Sequence, residues 1–230
     1  MSMYIISTPI GNLKDITLRA LETLEKLDYL VCEDTRKTGL LLKNLNISSH
    51  PKLISLNAYN ENRPQKLEQI ITFLKAGNDV GLVSNAGTPL INDPGFKLVR
   101  EAKGQGIKII PIPGPSSIIA ALISSGLPTD RFTYLGFLPK KESQLKKILM
   151  DIKTINDVGN ISQTHICFVS PHNLVKSLQT IMNTFGDIEI CIASELTKIY
   201  ENVETKRVGE WIKFFEEEKP RGEYTLLFRI

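Results

Sequence analysis

The sequence predicts an α/β protein of two α/β domains, and three observations carry the prediction. Short β-branched runs alternate with helix-spaced apolar residues through the first half. Polar, glycine-rich segments recur wherever a predicted strand ends. The pattern then changes after Gly114, where PIPGPSS supplies a rigid hinge near residues 113–117 and separates domains over 1–114 and 115–230. Strand and helix alternating at these lengths imply a mostly parallel sheet covered on both faces, whose ligands bind beyond the C-terminal strand ends.

The elements follow in order. A strand over 4–8 ends in a Thr-Pro-Ile-Gly-Asn turn. Leu18, Leu21, Leu24 and Leu27 then recur at helical spacing and predict a helix over 17–26. Strands over 29–32, 52–56, 79–83 and 108–112 alternate with helices over 38–45, 63–76 and 95–105, two of which stop at Gly77 and Gly106. The second half predicts helices over 116–125, 143–153, 174–183 and 210–218 and strands over 132–137, 164–169, 189–193 and 223–229. The polar run NDVGNISQ, residues 156–163, reads as a loop.

At 230 residues, 42% hydrophobic and 23% charged, the chain can bury a core that needs no covalent staples. Cys32, Cys167 and Cys191 each sit inside an apolar run, and an odd number in such runs reads as reduced core thiols in a reducing compartment. The start, MSMYIISTPIGN, has no basic leader, and later apolar stretches are broken before ~20 continuous residues. The expectation is a cytoplasmic protein with no membrane partner.

The net charge of +3 permits an anionic partner without demanding one. Lys140, Lys141, Lys146 and Lys147 are either a solvated helix start or the edge of a nucleic-acid footprint. His50, His165 and His172 have no metal-ligand spacing, alone or with the cysteines, so no metal site is expected.

Five segments at strand ends carry the chemistry. STPIGN (residues 7–12) turns at Gly11 and is neither a Walker A loop nor G-x-G-x-x-G; alone it is equally an ordinary turn. SNAGTPLINDPG (84–95) places two glycines and two prolines after a buried-type strand, and its small Ala86 and Gly87 permit close approach of a ligand to backbone. PIPGPSS is a hinge that can also touch ligand, and Ser116 or Ser117 can cap the next helix. EDTRKT (33–38) and NAYNENR (57–63) would line one mouth of a cleft with carboxylate, amide and guanidinium groups.

Taken in this order, STPIGNLKDITLRALETL, CEDTRKTGLLL, SNAGTPLINDPGFKLVREA, PIPGPSSIIAALISSGLPTDRFTYLGFLPKK, SPH and ELTKIYE resemble the ribosomal RNA small subunit methyltransferase I family. That family lies within the tetrapyrrole-methylase-like, class III group of S-adenosylmethionine enzymes. The resemblance runs from Tyr4 to the end of the chain and is densest over the first 140 residues. It implies two α/β domains with S-adenosyl-L-methionine in the cleft between them, usually in a homodimer. The reaction it implies is 2′-O-methylation of a cytidine in the decoding region of 16S rRNA of the small ribosomal subunit.

Carried over position by position, the resemblance assigns Pro9, Gly11, Asn12, Asn85, Ala86, Gly87, Thr88, Ile91, Ser116 and Ser117 to the cofactor. From the second domain it adds Phe168, Val169, Ala193, Glu195, Glu223 and Tyr224. Candidates for the acceptor side are Glu33, Asp34, Arg36, Asn60, Glu61 and Asp93; Arg36 and Lys37 suit RNA phosphates, with Lys140 and Lys141 as a second basic lip.

Three departures stand out. Family members typically carry aspartate where this chain has Asn85, which removes a negative charge near a cationic sulfonium or an adenosine hydroxyl. They tend to read Tyr-Glu-Ser-Pro-His-Arg where this chain has Phe168-Val169-Ser170-Pro171-His172-Asn173, a paired loss of carboxylate and guanidinium. Many also carry a short C-terminal extension, with its RNA or dimer contacts, that this sequence does not contain. Two other readings compete: a tetrapyrrole-type small-molecule methylase, which would prefer a wide apolar pocket, and a cofactor-binding, ribosome-associated protein without catalysis, which Asn85 and Val169 keep open.

Overall fold

The computed structural model describes residues 1–159 and 162–230, which divide into two compact units, Met1–Ser116 and Ser117–Ile230. The first unit is built on five strands, β1 (Ser2–Ile6), β2 (Tyr29–Cys32), β3 (Lys52–Ser55), β4 (Val80–Val83) and β5 (Lys108–Ile112), in spatial order β3-β2-β4-β1-β5. Every pairing is parallel, so all five strands send their C-terminal ends to one edge. Helices α1 (Leu18–Leu24), α2 (Thr35–Asn44), α3 (Pro64–Lys75) and α4 (Phe96–Gly104) connect them.

Burial of the strands on both faces follows from that topology. Met3, Val31, Ile54 and Leu82 pack with Ile70, Leu74 and Leu98 on one face. Their strand neighbours Ile6, Leu30, Cys32 and Val83 pack with Ala20, Leu24 and Leu42 on the other. The helix starts are set locally. The Thr17 hydroxyl accepts from Ala20 N at 3.1 Å, Asp34 accepts from Arg36 N at 2.9 Å, and Pro64 occupies the first turn of α3.

The second unit holds β6 (Phe132–Phe137), β7 (Thr164–Val169), β8 (Glu189–Ser194), β9 (Asn202–Arg207) and β10 (Tyr224–Arg229), ordered β6-β7-β10-β8-β9. Only β6 and β7 run parallel; β10 is antiparallel to both β7 and β8, and β9 is antiparallel to β8. Its helices are α5 (Ser117–Ser124), α6 (Glu142–Gly159), α7 (Leu174–Phe185) and α8 (Val208–Glu217). Trp211, Phe228, Leu149 and Leu178 are fully enclosed in one core cluster with Leu226 and Ile190.

Two sequence expectations are corrected. Residues 156–159, expected in a loop, continue α6, because Asn156 Nδ2 donates to the Ile230 carbonyl at 2.6 Å and ties the helix to the end of β10; residues 160 and 161 of that segment lie outside the described residues. Strand β9 was not anticipated. NVETKR contains one apolar residue, Val203, and an edge strand exposed on one side leaves no alternation to read. It is held by six registered pairs with β8 and by Lys206, whose ammonium lies 4.6 Å from the Trp211 ring. The three cysteines are unpaired and buried, and no helix among the described residues is long and apolar enough to cross a membrane.

Candidate active site

The strand-end loops of the first unit are sewn into one cluster. Beyond β1, Thr8 N donates to Gly87 O at 2.9 Å and Gly87 N returns to Thr8 O at 3.0 Å, a two-residue antiparallel bridge joining STPIGN to SNAGTP. The Ser7 hydroxyl donates to Thr88 Oγ1 at 3.2 Å, and the Thr88 hydroxyl donates to Pro115 O at 3.0 Å, which draws in PIPGPSS. Gly87 sits at φ +78°, where a Cβ would meet Ile10 at 3.2 Å, so only glycine lets the two loops close this far.

Thr88 thus has a defined structural task in this cluster. Pro9 and Gly87 are buried, whereas Gly11, Asn12, Ala86 and Ile91 are exposed along its outer surface and Ser116 and Ser117 are half-buried. Two polar atoms here are buried with no hydrogen-bond partner, Thr8 Oγ1 and Asn85 Oδ1.

A carboxylate group flanks that cluster. Asn85 Nδ2 donates to Glu33 Oε2 at 2.5 Å, so the amide standing in place of an expected aspartate orients a carboxylate instead of repelling it. Burial pushes the Asp93 carboxyl up to about 6, and the nearby Glu33 charge adds to the rise against an opposing bond from Ser84. A carboxylic acid whose pKa is raised in a strand-end loop is the state expected of a proton acceptor. Other acceptor-side candidates are committed to structure. Asp34 caps α2, Glu61 Oε2 accepts from Gly95 N at 3.1 Å, and Asn60 Oδ1 accepts from Asn57 N at 2.8 Å. Arg36 and Lys37 are exposed on the first turn of α2.

A pocket of about 440 Å³ opens beside this group, lined by Glu33, Lys37, Ser55, Asn57, Tyr59 and Asn85 among others. The sequence reading passed over Tyr59, Asn57 and Thr8 although it quoted their segments, because nothing in NAYNENR or STPIGN distinguishes an exposed ring or an orphaned hydroxyl from turn filler.

In the second unit the register brings the sequence-predicted residues to one end of the sheet. Tyr224 pairs with Val169 and with Ser194, and Thr225 pairs with Phe168 and with Ala193. Val169, Ala193 and Tyr224 are buried, so only their backbone is available to a ligand at this end. Val169 packs into the apolar core, and Asn173 Nδ2 bonds Ser170 Oγ at 2.9 Å.

Glu195 reaches the Glu223 amide at 3.3 Å and Lys198 Nζ at 3.2 Å. Lys140 and Lys141 are exposed ahead of α6. Backbone strain concentrates in the same segments. Of the five positive-φ non-glycine residues described, Leu90 and Asn92 lie in the β4 loop and Glu195 and Thr197 in the β8 loop. Such residues gather where function over-determines the backbone.

Gly222, at φ +86°, leaves room for Glu195: a Cβ there would lie 2.3 Å from Oε1. Gly222→Ala is therefore expected to destabilise the second unit by roughly 1–2 kcal/mol, from the left-handed backbone and the displaced carboxylate. Urea denaturation checks this; an unchanged midpoint would show that Glu195 is not held there.

Known proteins resemble this chain along nearly its whole length. The family described as Tetrapyrrole (Corrin/Porphyrin) Methylases matches residues 2–211. A Rickettsia prowazekii protein named Ribosomal RNA small subunit methyltransferase I is 45% identical over 225 residues, covering 98% of this chain and 77% of its own. Its namesake from Vibrio cholerae is 42% identical over 228 residues (98% and 76%), and that from Thermotoga maritima 39% over 225 residues (98% and 96%).

Among solved structures, a diphthine synthase aligns with a TM-score of 0.74 at 16% identity, covering 99% of this chain and 89% of its own. The uroporphyrin-III-C-methyltransferase from Thermus thermophilus aligns at 0.63 and 17%, covering 98% and 93%. These two show the fold, that of the tetrapyrrole methylases, and the sequence relatives narrow it. The chain belongs to the ribosomal RNA small subunit methyltransferase I family.

Proposed function

We propose that the protein transfers the methyl group of S-adenosylmethionine to the 2′-oxygen of a cytidine in the decoding region of 16S rRNA, working in the cytoplasm as a homodimer on the small ribosomal subunit. The observation that carries the reading is the anionic, acceptor-rich loop cluster of the first unit, where burial and the Glu33 charge push the Asp93 carboxyl up to about 6.

The residues present fit that cofactor. Thr8 Oγ1 and Asn85 Oδ1 are buried without partners and can accept from hydroxyl or amino donors, and the carboxylates suit a cationic centre. When bound, S-adenosylmethionine supplies an activated methyl group on a sulfonium that leaves without acid assistance. Pro9, Gly11, Asn12, Ala86, Gly87, Ile91, Ser116 and Ser117 are assigned to hold it by the same reading, as are Phe168, Val169, Ala193, Glu195, Glu223 and Tyr224.

The work left to this chain is positioning and proton removal. Asp93, with a carboxyl pushed up to about 6, is ionised at pH 7–8 yet basic enough to accept the proton of a ribose hydroxyl. Arg36 and Lys37, exposed on the first turn of α2, take the RNA phosphates on that side, and Lys140 and Lys141 take others.

The test is transfer of labelled methyl from S-adenosylmethionine to small ribosomal subunits lacking the modification, with fully modified subunits as control. Label at a cytidine 2′-oxygen is the expected result; tight cofactor binding with no transfer to any rRNA would overturn it. Because phosphate contacts release counterions, subunit affinity of Lys37→Ala is expected to fall with a salt slope shallower by about one charge than that of the wild type.

A further inference from the structure

We propose that the pocket beside Glu33 is a nucleobase subsite that takes one unstacked cytosine, with Tyr59 as its stacking platform and the Glu33 carboxylate reading the exocyclic amino group. This rests on the rRNA reading above and says how the acceptor nucleotide is chosen.

Tyr59 is 90% exposed, which leaves an aromatic surface in water. Its backbone is nevertheless tied down. Tyr59 N and Asn60 N both donate to Asn57 Oδ1, at 3.1 and 3.2 Å, Asn57 N donates to Asn60 Oδ1 at 2.8 Å, and Asn60 Nδ2 holds the Ser55 carbonyl at 3.3 Å. A rigid loop presenting an unburied ring at the mouth of a polar pocket is the arrangement on which single-stranded bases stack. About 440 Å³ lies within the ~300–1,000 Å³ of small-ligand pockets and suits one nucleoside.

The chemistry of the wall favours a base with an exocyclic amino group over uracil. Glu33 is fixed by Asn85 through Oε2, which holds its carboxylate in one orientation at the pocket. A carboxylate accepts from the cytosine amino group and meets the uracil O4 lone pairs with repulsion. Lys37, on the same rim, supplies the counter-charge for the nucleotide's phosphate, which the acidic wall would otherwise repel.

The test uses the full chain with S-adenosylhomocysteine and fluorescently labelled five-nucleotide RNAs, UUCUU and UUUUU. A third probe carries N4,N4-dimethylcytidine, which has no amino hydrogen, at its centre. The cytidine probe is expected to bind about 5- to 100-fold more tightly than the uridine probe, the discrimination of one well-made base-edge contact, and the dimethylated probe no better than uridine. Glu33→Gln should bring the cytidine-to-uridine ratio close to one. Tyr59→Ala, at a position too exposed to unfold the protein, should weaken the cytidine and uridine probes by a similar factor of about 5 or more, and Tyr59→Phe should restore binding.

Equal binding of all three probes by the wild type, or a ratio untouched by Glu33→Gln, would overturn the subsite. Methyl transfer to small subunits by the same preparation separates the two ideas: transfer without cytidine preference sinks this inference and leaves the rRNA reading standing.

Discussion

Asp93→Asn is expected to lower kcat/KM for methyl transfer by about 10²- to 10⁴-fold, the usual worth of a positioned proton acceptor, while making the protein more stable at pH 8. The two effects come from one cause. Burial and the Glu33 charge raise the carboxyl from 3.8 to about 6. Folded protein therefore holds a proton between those values that the unfolded chain has released, and stability falls as pH rises through that window. Above pH 6 the ionised carboxylate is a standing cost of up to roughly 3 kcal/mol, nearer 1–2 after solvent screening of a half-buried group.

An amide removes that cost, so the gain should be present at pH 8 and nearly gone at pH 3.5, where the folded carboxyl is protonated and the unfolded one mostly so. Activity offers a second readout. Wild-type kcat/KM should rise with pH along an acid limb near 6, which Asp93→Asn abolishes. Glu33→Gln should move that limb lower, because one of the two influences raising the carboxyl is gone. Transfer within threefold of wild type in Asp93→Asn would remove it from the chemistry.

How far the sequence disclosed this site depends on what kind of signal each residue leaves. The parallel sheet of the first unit was legible because short apolar runs such as VGLV and YLVC alternate with helix-spaced segments. Motif order identified the strand-end loops, and since parallel strands deliver those loops to one edge, their gathering followed from topology. Pairings between distant segments were not legible. That Asn85 holds Glu33, 52 positions away, is a property of how two loops pack, and composition would predict only a lost charge. Tyr59 left no trace because exposure of a ring has no periodicity. β9 was hidden for the opposite reason: its stability comes from backbone pairing and Lys206 on Trp211, neither of which needs an apolar pattern.

His165→Leu is expected to stabilise the second unit, modestly at pH 7.5 and strongly at pH 4.5. His165 lies on β7 on the same face as Cys167 and Val169, 1% exposed, opposite Phe228 with ring centroids 5.3 Å apart. Neither ring nitrogen has a hydrogen-bond partner. Burial alone pushes its pKa from 6.5 down to about 4. Above pH 6.5 the imidazole is neutral whether folded or not, and the penalty is that of two unpaired nitrogens, about 1–3 kcal/mol.

As pH falls from 6.5 to about 4 the unfolded chain takes up a proton that the folded one refuses, and up to a further 3 kcal/mol or so of stability is lost. Leucine has nearly the same volume, suits a strand core and titrates nowhere. Trp211, the only tryptophan, is enclosed in the same unit's core with Phe228, so its emission in urea reports this unit. Taking the difference between wild type and variant at each pH cancels the carboxylates that titrate in the same window. A difference that widens by about 2–3 kcal/mol between pH 7.5 and 4.5 is the expected result; a constant difference would mean that folding leaves the imidazole pKa unshifted, and a destabilised variant would mean the nitrogens are paired after all.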